Sequence, residues 1–392
     1  MHRRLLAETK PLWNTRCSEV QKNEGPKNYA MTSNRQPPSK TRTVSLKELA
    51  AHLGLSQATV SRVVNRSATS HRISATTQQR VLAAAASLNY KPNVFARGLR
   101  NKRSFTVGVI VPEISEGYST SVLGGIEDTL LQNGFFYFVV SHRHRDDLLL
   151  GYPRLLLDRA VEGIIAVDSA IHEDLPIPVV AVSGHGRHKS TVNIELDHGL
   201  AARYALDHLH RLGHRRIAFI KGQVFSSDTV VRWNAICKTA AGLGLSIDPK
   251  LVVQLEGSAP GIGPGREAAA ELLRRKRPFS AIFSFNDLSA IGAITVLHDA
   301  GIRVPADISV VGFDDILSAS TNNPALTTVR QPLREMGQIA ATTLLQLIQR
   351  KNPDPPKSSI RVVPTLIVRG STTDAPPRAQ SMTKNRIPAK PG

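Results

Sequence analysis

The chain has 392 residues, of which 41% are hydrophobic and 21% charged, and its formal net charge is +19. That length exceeds one ordinary core, so two or three folded units are expected, and no run nears the roughly 20 apolar residues that span a bilayer. Cys17 and Cys237 are the only cysteines, which excludes a disulfide framework and points to reduced thiols in a cytosol.

The location of the charge gives it meaning. Residues 41–103 hold 11 Lys and Arg against the single Glu48, whereas residues 104–370 hold 27 against 26 Asp and Glu. General solubility needs no such clustering. A basic segment beside a neutral domain is the electrostatic footprint of a protein that meets a polyanion.

In chain order, residues 1–42 are polar and basic without apolar periodicity and predict a disordered extension. Their start, MHRRLLAETKPLW, has an Arg pair but no apolar stretch and no small-residue cleavage site, so no secretion signal is expected. Met31 is a second candidate start. Residues 43–90 then predict three helices. Ser45-Leu-Lys-Glu48 is a capping box, in which a hydroxyl and a carboxylate satisfy the free amides of a helix start. Leu46, Leu49, Ala50 and Leu53 form its apolar face, and Gly54 ends it. Ser56 caps a second helix with an inner face of Ala58 or Thr59, Val60, Val63 and Val64, ending at Asn65. Ser74 caps a third helix that ends near Tyr90, and Pro92 enforces the break.

Two short helices joined through Gly54 and a serine cap make a helix-turn-helix, whose second helix is built to enter the major groove. Gln57, Ala58 and Arg62 are the side chains placed to meet base edges, because Arg grips guanine in a bidentate pair, Gln pairs with adenine and Ala meets a thymine methyl. Ser61, Thr59 and the helix N-terminus at Ser56 suit phosphates, and Asn65 at the helix end is counted with them as a DNA contact.

From residue 104 to 372 the pattern changes to strand–helix alternation. Apolar β-branched runs at 106–111, 136–140, 163–167, 179–182, 217–220, 251–255, 281–285 and 308–311 predict buried parallel strands covered by helices. These are too many βα units for one comfortable sheet, so two lobes are expected. Residues 373–392 predict a second disordered segment. Three other signals carry no chemistry. Gly261-Ile-Gly-Pro-Gly265 reads as a loop opening a helix. The pairs His142/His144 and His208/His210 read as solvated, with no third ligand for a metal. No nucleophile elbow is present, and nothing else suggests an enzyme or a cofactor.

The strings TVSLKELAAHLGLSQATVSRVVN and LNYKPNVFARGLR, followed by LGHRRIAFI, NDLSAIGA, RVPADISVVGFDD, PALTTVRQP and PTLIVRGST, resemble the LacI/GalR family of bacterial repressors over about residues 43–372. The resemblance implies an all-α helix-turn-helix DNA-binding domain and a two-lobed α/β core of parallel sheets like a periplasmic binding protein. It implies lobes of about 104–196 with 331–360 and 197–330 with 361–372, with crossovers near Asp197, Gln331 and Arg361. It further implies that residues 91–103 form a hinge helix. There Leu99 would wedge into the minor groove beside Ala96 and Arg97, with Arg100 near the backbone.

Effector contacts implied by the same resemblance are Arg232, Asn286, Asp314 and Tyr118. Asn286 also suits a helix cap, and the sequence leaves both roles open. Ser183 joins the set where many relatives carry Asp, and the run Arg232-Trp-Asn-Ala-Ile departs from their usual Arg-x-x-Gly-aromatic. The pocket is therefore expected to be retuned. Expected partners are a pseudo-palindromic double-stranded operator, a small-molecule effector such as a sugar, and a second copy in a homodimer. No membrane partner is expected, and the location is the cytoplasm, at the nucleoid. The rival reading, a transport-type sugar-binding protein on the same core, predicts a signal peptide and no helix-turn-helix.

Overall fold

A computed structural model describes residues 44–65, 69–90, 103–115, 117–171, 173–184, 191–258, 261–349 and 359–377. The chain divides into two compact units, residues 1–92 and 93–392.

In the first unit α1 (Leu46–Leu53), α2 (Gln57–Val64) and α3 (Ala75–Ser87) pack pairwise on one another. The capping box forms in both directions: the Ser45 amide donates to Glu48 Oε2 at 2.8 Å, and the Glu48 amide donates to Ser45 Oγ at 3.2 Å. Gly54 leaves α1 at φ +63°, a left-handed conformation that costs a residue without Cβ little. Ser56 and Ser74 cap α2 and α3. The core they enclose is Leu49, Ala50, Val60, Val63, Val81 and Ala85. Ala58 is exposed, so it leaves the inner face of α2 that the sequence pattern allowed it, and Val60 and Val63 carry that face. The hinge positions Ala96, Arg97, Leu99 and Arg100 lie outside the described residues.

The second unit holds two six-stranded sheets. The first, ordered β11-β5-β4-β3-β1-β2, uses β1 (Thr106–Val111), β2 (Phe136–Ser141), β3 (Gly163–Val167), β4 (Val179–Val182), β5 (Thr191–Leu196) and β11 (Ser359–Val362). The second, ordered β12-β10-β9-β8-β6-β7, uses β6 (Ile217–Lys221), β7 (Val252–Gln254), β8 (Ala281–Ser284), β9 (Ser309–Asp314), β10 (Thr327–Arg330) and β12 (Thr365–Ile367). All neighbours pair in parallel except β12, which runs antiparallel to β10. The chain thus passes between the sheets after β5, after β10 and after β11. Arg361 sits inside β11, in register with Glu195, so the last passage falls just after Val362, near Arg361.

Helices cover both faces of each sheet, as buried parallel strands demand. On the first sheet α4 (Tyr118–Gln132) lies against α11 (Leu333–Gln349). They meet at Gly125 and Gly337, where an added Cβ would stand 1.9 Å from the Arg334 carbonyl and 2.1 Å from the Val122 carbonyl. On the second sheet α6 (His198–Arg211) lies against α7 (Asp228–Gly242), and α8 (Gly263–Arg274) lies against α9 (Asp287–Asp299). Both lobes therefore present the C-terminal ends of their parallel strands, where α/β sheets bind ligands. Among the described residues no helix is long and apolar enough to cross a membrane.

Candidate functional site

Two surfaces carry the residues singled out in the sequence. The first is α2. Gln57, Ala58 and Arg62 are exposed on it, and their helix is braced by α1 through Leu49 and Val60. Ser56 and Thr59 are engaged with each other: the Thr59 amide donates to Ser56 Oγ at 3.1 Å, and the two hydroxyls share a bond of 2.9 Å. Asn65 Nδ2 donates to the Ser61 carbonyl at 2.9 Å and to Ser61 Oγ at 3.2 Å. Ser56, Thr59, Ser61 and Asn65 thus shape the helix ends, while the free presentation belongs to Gln57, Ala58 and Arg62.

The second is a cavity of about 120 Å³ between the lobes of the larger unit, lined by Tyr118, Asp168, Asp228, Arg232, Asn286 and Asp314 among others. Arg232 is 3% exposed. Its Nη2 donates to Asp228 Oδ2 at 2.9 Å, one helical turn back, and its Nη1 to the Phe285 carbonyl at 2.5 Å. Its guanidinium lies 3.7 Å from the Phe313 ring centre and 4.4 Å from that of Phe285, within cation–π range of both. Nε of Arg232 is buried and makes no hydrogen bond.

Asp314 ends β9 at φ +109°, in a region L-residues rarely adopt. Its Oδ1 accepts from Gln331 Nε2 at 2.6 Å. Burial pushes its carboxyl up to about 7 against the pull of the Arg232 guanidinium. Behind it Asp287, fully buried, accepts from the Ile316 amide at 2.9 Å and from Thr328 Oγ1 at 2.6 Å, which ties down the loop after β9. Burial, helped by the Asp314 charge, holds the Asp287 carboxyl well above the usual range.

Asn286 lines the cavity and also caps α9, its Oδ1 accepting from the Ser289 amide at 2.9 Å. The cap is thus formed, and the same residue stands in the cavity wall. Tyr118 donates from its hydroxyl to Ser183 Oγ at 2.8 Å, and burial next to Asp228 and Asp168 raises its pKa well above 10. Ser183, expected to be a contact, is 1% exposed and not part of the cavity wall. It stands behind Tyr118 and positions that ring.

Sequence reasoning missed Asp168 and Asp228. Asp168 follows β3 as Asp314 closes β9, so the same strand-end argument applies to it. It joins the lobes: Ser227 Oγ donates to Asp168 Oδ1 at 2.7 Å, the Ser227 amide to the same oxygen at 3.2 Å, and Ser226 Oγ to Oδ2 at 3.3 Å. Burial and the nearby Asp228 charge push the Asp168 carboxyl up to about 7. Ser227 Oγ also reaches the Ser183 carbonyl. Asp228 is signalled by its place four residues before Arg232 on one helix face.

Of the paired histidines only His142 is buried, while His144, His208 and His210 are half-buried. His142 is 5% exposed and meets Ser169 Oγ at 3.0 Å, and burial lowers it to about 4. His144 lines the cavity and stacks on Phe225 with ring centres 3.9 Å apart. His208 is half-buried and meets Thr372 Oγ1 at 3.0 Å. Among the described residues no cluster of three or more His, Cys, Asp or Glu side chains could hold a metal ion.

Comparison with known proteins covers both units. Residues 45–93 match the family "Bacterial regulatory proteins, lacI family", and residues 206–372 match "Periplasmic binding protein-like domain". The chain is 30% identical over 337 residues to the transcriptional repressor PurR of Haemophilus influenzae, covering 83% of this chain and 98% of that protein. It superposes on the lac repressor dimer bound to operator and the anti-inducer ONPF with a TM-score of 0.76. That match has 27% identity and covers 85% of this chain and 100% of that one. A complex of the transcriptional regulator CelR with cellobiose gives a TM-score of 0.61 at 28% identity, over 84% of this chain and 99% of that one. With a helix-turn-helix at one end, a two-lobed cleft at the other and a relative spanning nearly all of both, the chain belongs to the lacI family of bacterial regulatory proteins.

Proposed function

We propose that this chain is a sequence-specific DNA-binding transcription regulator, a repressor of the LacI type. It binds a pseudo-palindromic operator as a homodimer and answers to a small metabolite held between the lobes of its core. One helix-turn-helix reads a single half-site, so two copies are needed for an inverted repeat. The observation that carries the reading is α2 itself: Gln57, Ala58 and Arg62 stand exposed together on a helix braced from behind. The solved lac repressor dimer, bound to operator and an anti-inducer, supports the choice of partners.

The effector reading rests on the cleft. Arg232 and Asn286 offer donors and Asp314 an acceptor at the strand ends, which suits a polyhydroxylated molecule such as a sugar. Segment 91–103 is assigned the part of a hinge, in which Leu99, flanked by Ala96, Arg97 and Arg100, enters the minor groove at the operator centre. The protein works in the cytoplasm.

Arg62→Ala is the test. A bidentate Arg–guanine contact discriminates by about 1–3 kcal/mol. A gel-shift series should therefore show weaker binding to an operator recovered by selection, with salt-dependent binding to unrelated duplex nearly unchanged. Equal losses on both DNAs would make Arg62 a phosphate contact and overturn its assignment as a base reader.

A further inference from the structure

Resting on the assignment of residues 91–103 as the hinge, we infer that Glu162 is the positioning residue by which the first lobe grips that hinge, so that cleft and operator are coupled through it. The chain enters the core at Arg103, and Glu162 holds the entry with both of its oxygens. Its Oε2 accepts from Arg103 Nε at 2.6 Å, and its Oε1 accepts from the Phe105 amide at 2.7 Å. The Glu162 amide in turn donates to the Thr106 carbonyl at 2.8 Å. The Glu162 side chain is 12% exposed, so its charge-assisted bond to the guanidinium is sheltered from screening. The backbone between the two contacts is not that of a plain linker. Phe105 stands at φ +50°, a left-handed conformation that a bulky L-residue adopts only where its surroundings impose it. Those surroundings reach beyond Glu162. The Phe105 carbonyl accepts from the Phe136 amide at 2.8 Å, and its ring meets Phe135 edge-on with centres 5.6 Å apart. The Arg103 guanidinium lies 4.9 Å from the Phe105 ring centre. An entry turn held at so many points has little room to swivel. A reorientation of the lobe is therefore passed on to Arg103 instead of being absorbed before it.

Two neighbouring strands run from this anchor to the cleft. β3 begins directly after Glu162, is buried along its whole length and ends at Val167. The next residue, Asp168, lines the cavity and accepts the bonds of Ser226 and Ser227 from the other lobe. β1 begins at Thr106, directly after Phe105, and ends at Val111, before Pro112 and Glu113 in the cavity wall. The two strands pair in parallel from Val107 and Gly163 to Ile110 and Ala166. Close-packed, hydrogen-bonded strands transmit displacement rather than absorb it. The carboxylate at one end and the cleft at the other thus share one stiff element. Coupling through it acts both ways: what the cleft does to operator affinity, the operator must do to the cleft.

That reciprocity gives a test that needs no effector. The full chain is studied with and without a saturating amount of an inverted-repeat duplex that it selects from a random pool. Amide hydrogen exchange is followed by mass spectrometry in peptides over residues 163–171 and 223–235. In the wild type the duplex should change exchange at the cleft at least about fivefold, the lower end of typical allosteric couplings. Glu162→Gln should cut that change below about twofold, a coupling too small to serve as a switch. Whichever way the new amide is turned, its NH2 faces another donor, at Arg103 or at Phe105. Combining Glu162→Gln with Arg103→Gln should restore the change. The carbonyl oxygen introduced at position 103 stands where Nε was and accepts from the amide introduced at position 162, so the bond returns with its direction reversed. Arg103→Met, which leaves the Phe105 amide its acceptor, should also lower the change, and it carries the test if Glu162→Gln does not fold. A cleft change that persists undiminished in Glu162→Gln, or that the double variant fails to restore, overturns the inference. So does a wild type that binds the duplex with no change at its cleft. A Glu162→Gln chain that melts like the wild type but no longer binds the duplex overturns it too, since the anchor would then belong to the DNA grip itself. A pool that yields no enriched duplex would instead remove the DNA-binding reading on which the inference rests.

Discussion

Replacing Arg232 by alanine should destabilise the core by about 3–5 kcal/mol, the range for removing one partner of a buried ion pair. Arg232 and Asp228 have side-chain exposures of 4% and 6%, so solvent cannot take over when the guanidinium leaves. The truncation also deprives the Phe285 carbonyl of a donor and the Phe313 and Phe285 rings of their cation. The family resemblance implies that Arg232 is a ligand contact. In the structure it is also what binds α7 to the ends of β8 and β9. The double replacement Asp228→Asn with Arg232→Met should recover most of the loss, because no unpaired charge then stays buried. Urea denaturation of the single and double variants checks this. A loss below about 1 kcal/mol, the scale of an exposed ion pair, would mean that Asp228 is satisfied without Arg232.

Leu49→Ala should abolish operator binding while leaving the core intact. Leu49 is fully buried at the centre of the three-helix unit, and Leu→Ala at such sites costs about 2–5 kcal/mol. A unit this small buries little surface to begin with, and single domains of its size are marginal. Most of its stability would go with one side chain. The larger unit encloses its own clusters, so its melting transition and its effector binding should stay as in the wild type. Gel shift and calorimetry on one preparation separate the two effects. Full operator affinity in the variant would show that the Leu49 cluster is not what holds α2 in place.

How far the sequence could be read follows from the residues. The first unit was legible almost to the residue, because Ser45, Ser56, Ser74 and Gly54 mark helix ends by local chemistry alone. Strands β1, β3 and β4 were equally plain, being unbroken runs of β-branched and small residues. Four strands were not. β5 carries Asn193 and Glu195, and β10 opens with Thr327 and Thr328. Their polar groups are satisfied only by the finished fold: Asn193 Oδ1 accepts from the Gly184 amide, and Thr328 donates to Asp287. β11 and β12 are four and three residues long and follow the helix that returns the chain to the first lobe. In the cleft, Arg232, Asn286 and Asp314 came from resemblance and do line one cavity. Asp168 and Asp228 escaped although each had a local signal, a strand end for Asp168 and the place four residues before Arg232 for Asp228. Only the fold brings the two together at one cavity. Ser183 was misplaced for the same reason, being one layer behind the wall.

The central claim is that α2 reads DNA sequence as one half of a symmetric pair. Selection of bound duplexes from a random pool by the full chain, followed by sequencing, tests it most directly. The account predicts an enriched inverted repeat, since a symmetric dimer imposes its two-fold axis on the site. Retained DNA with no common motif, or with a single unrepeated half-site, would contradict it.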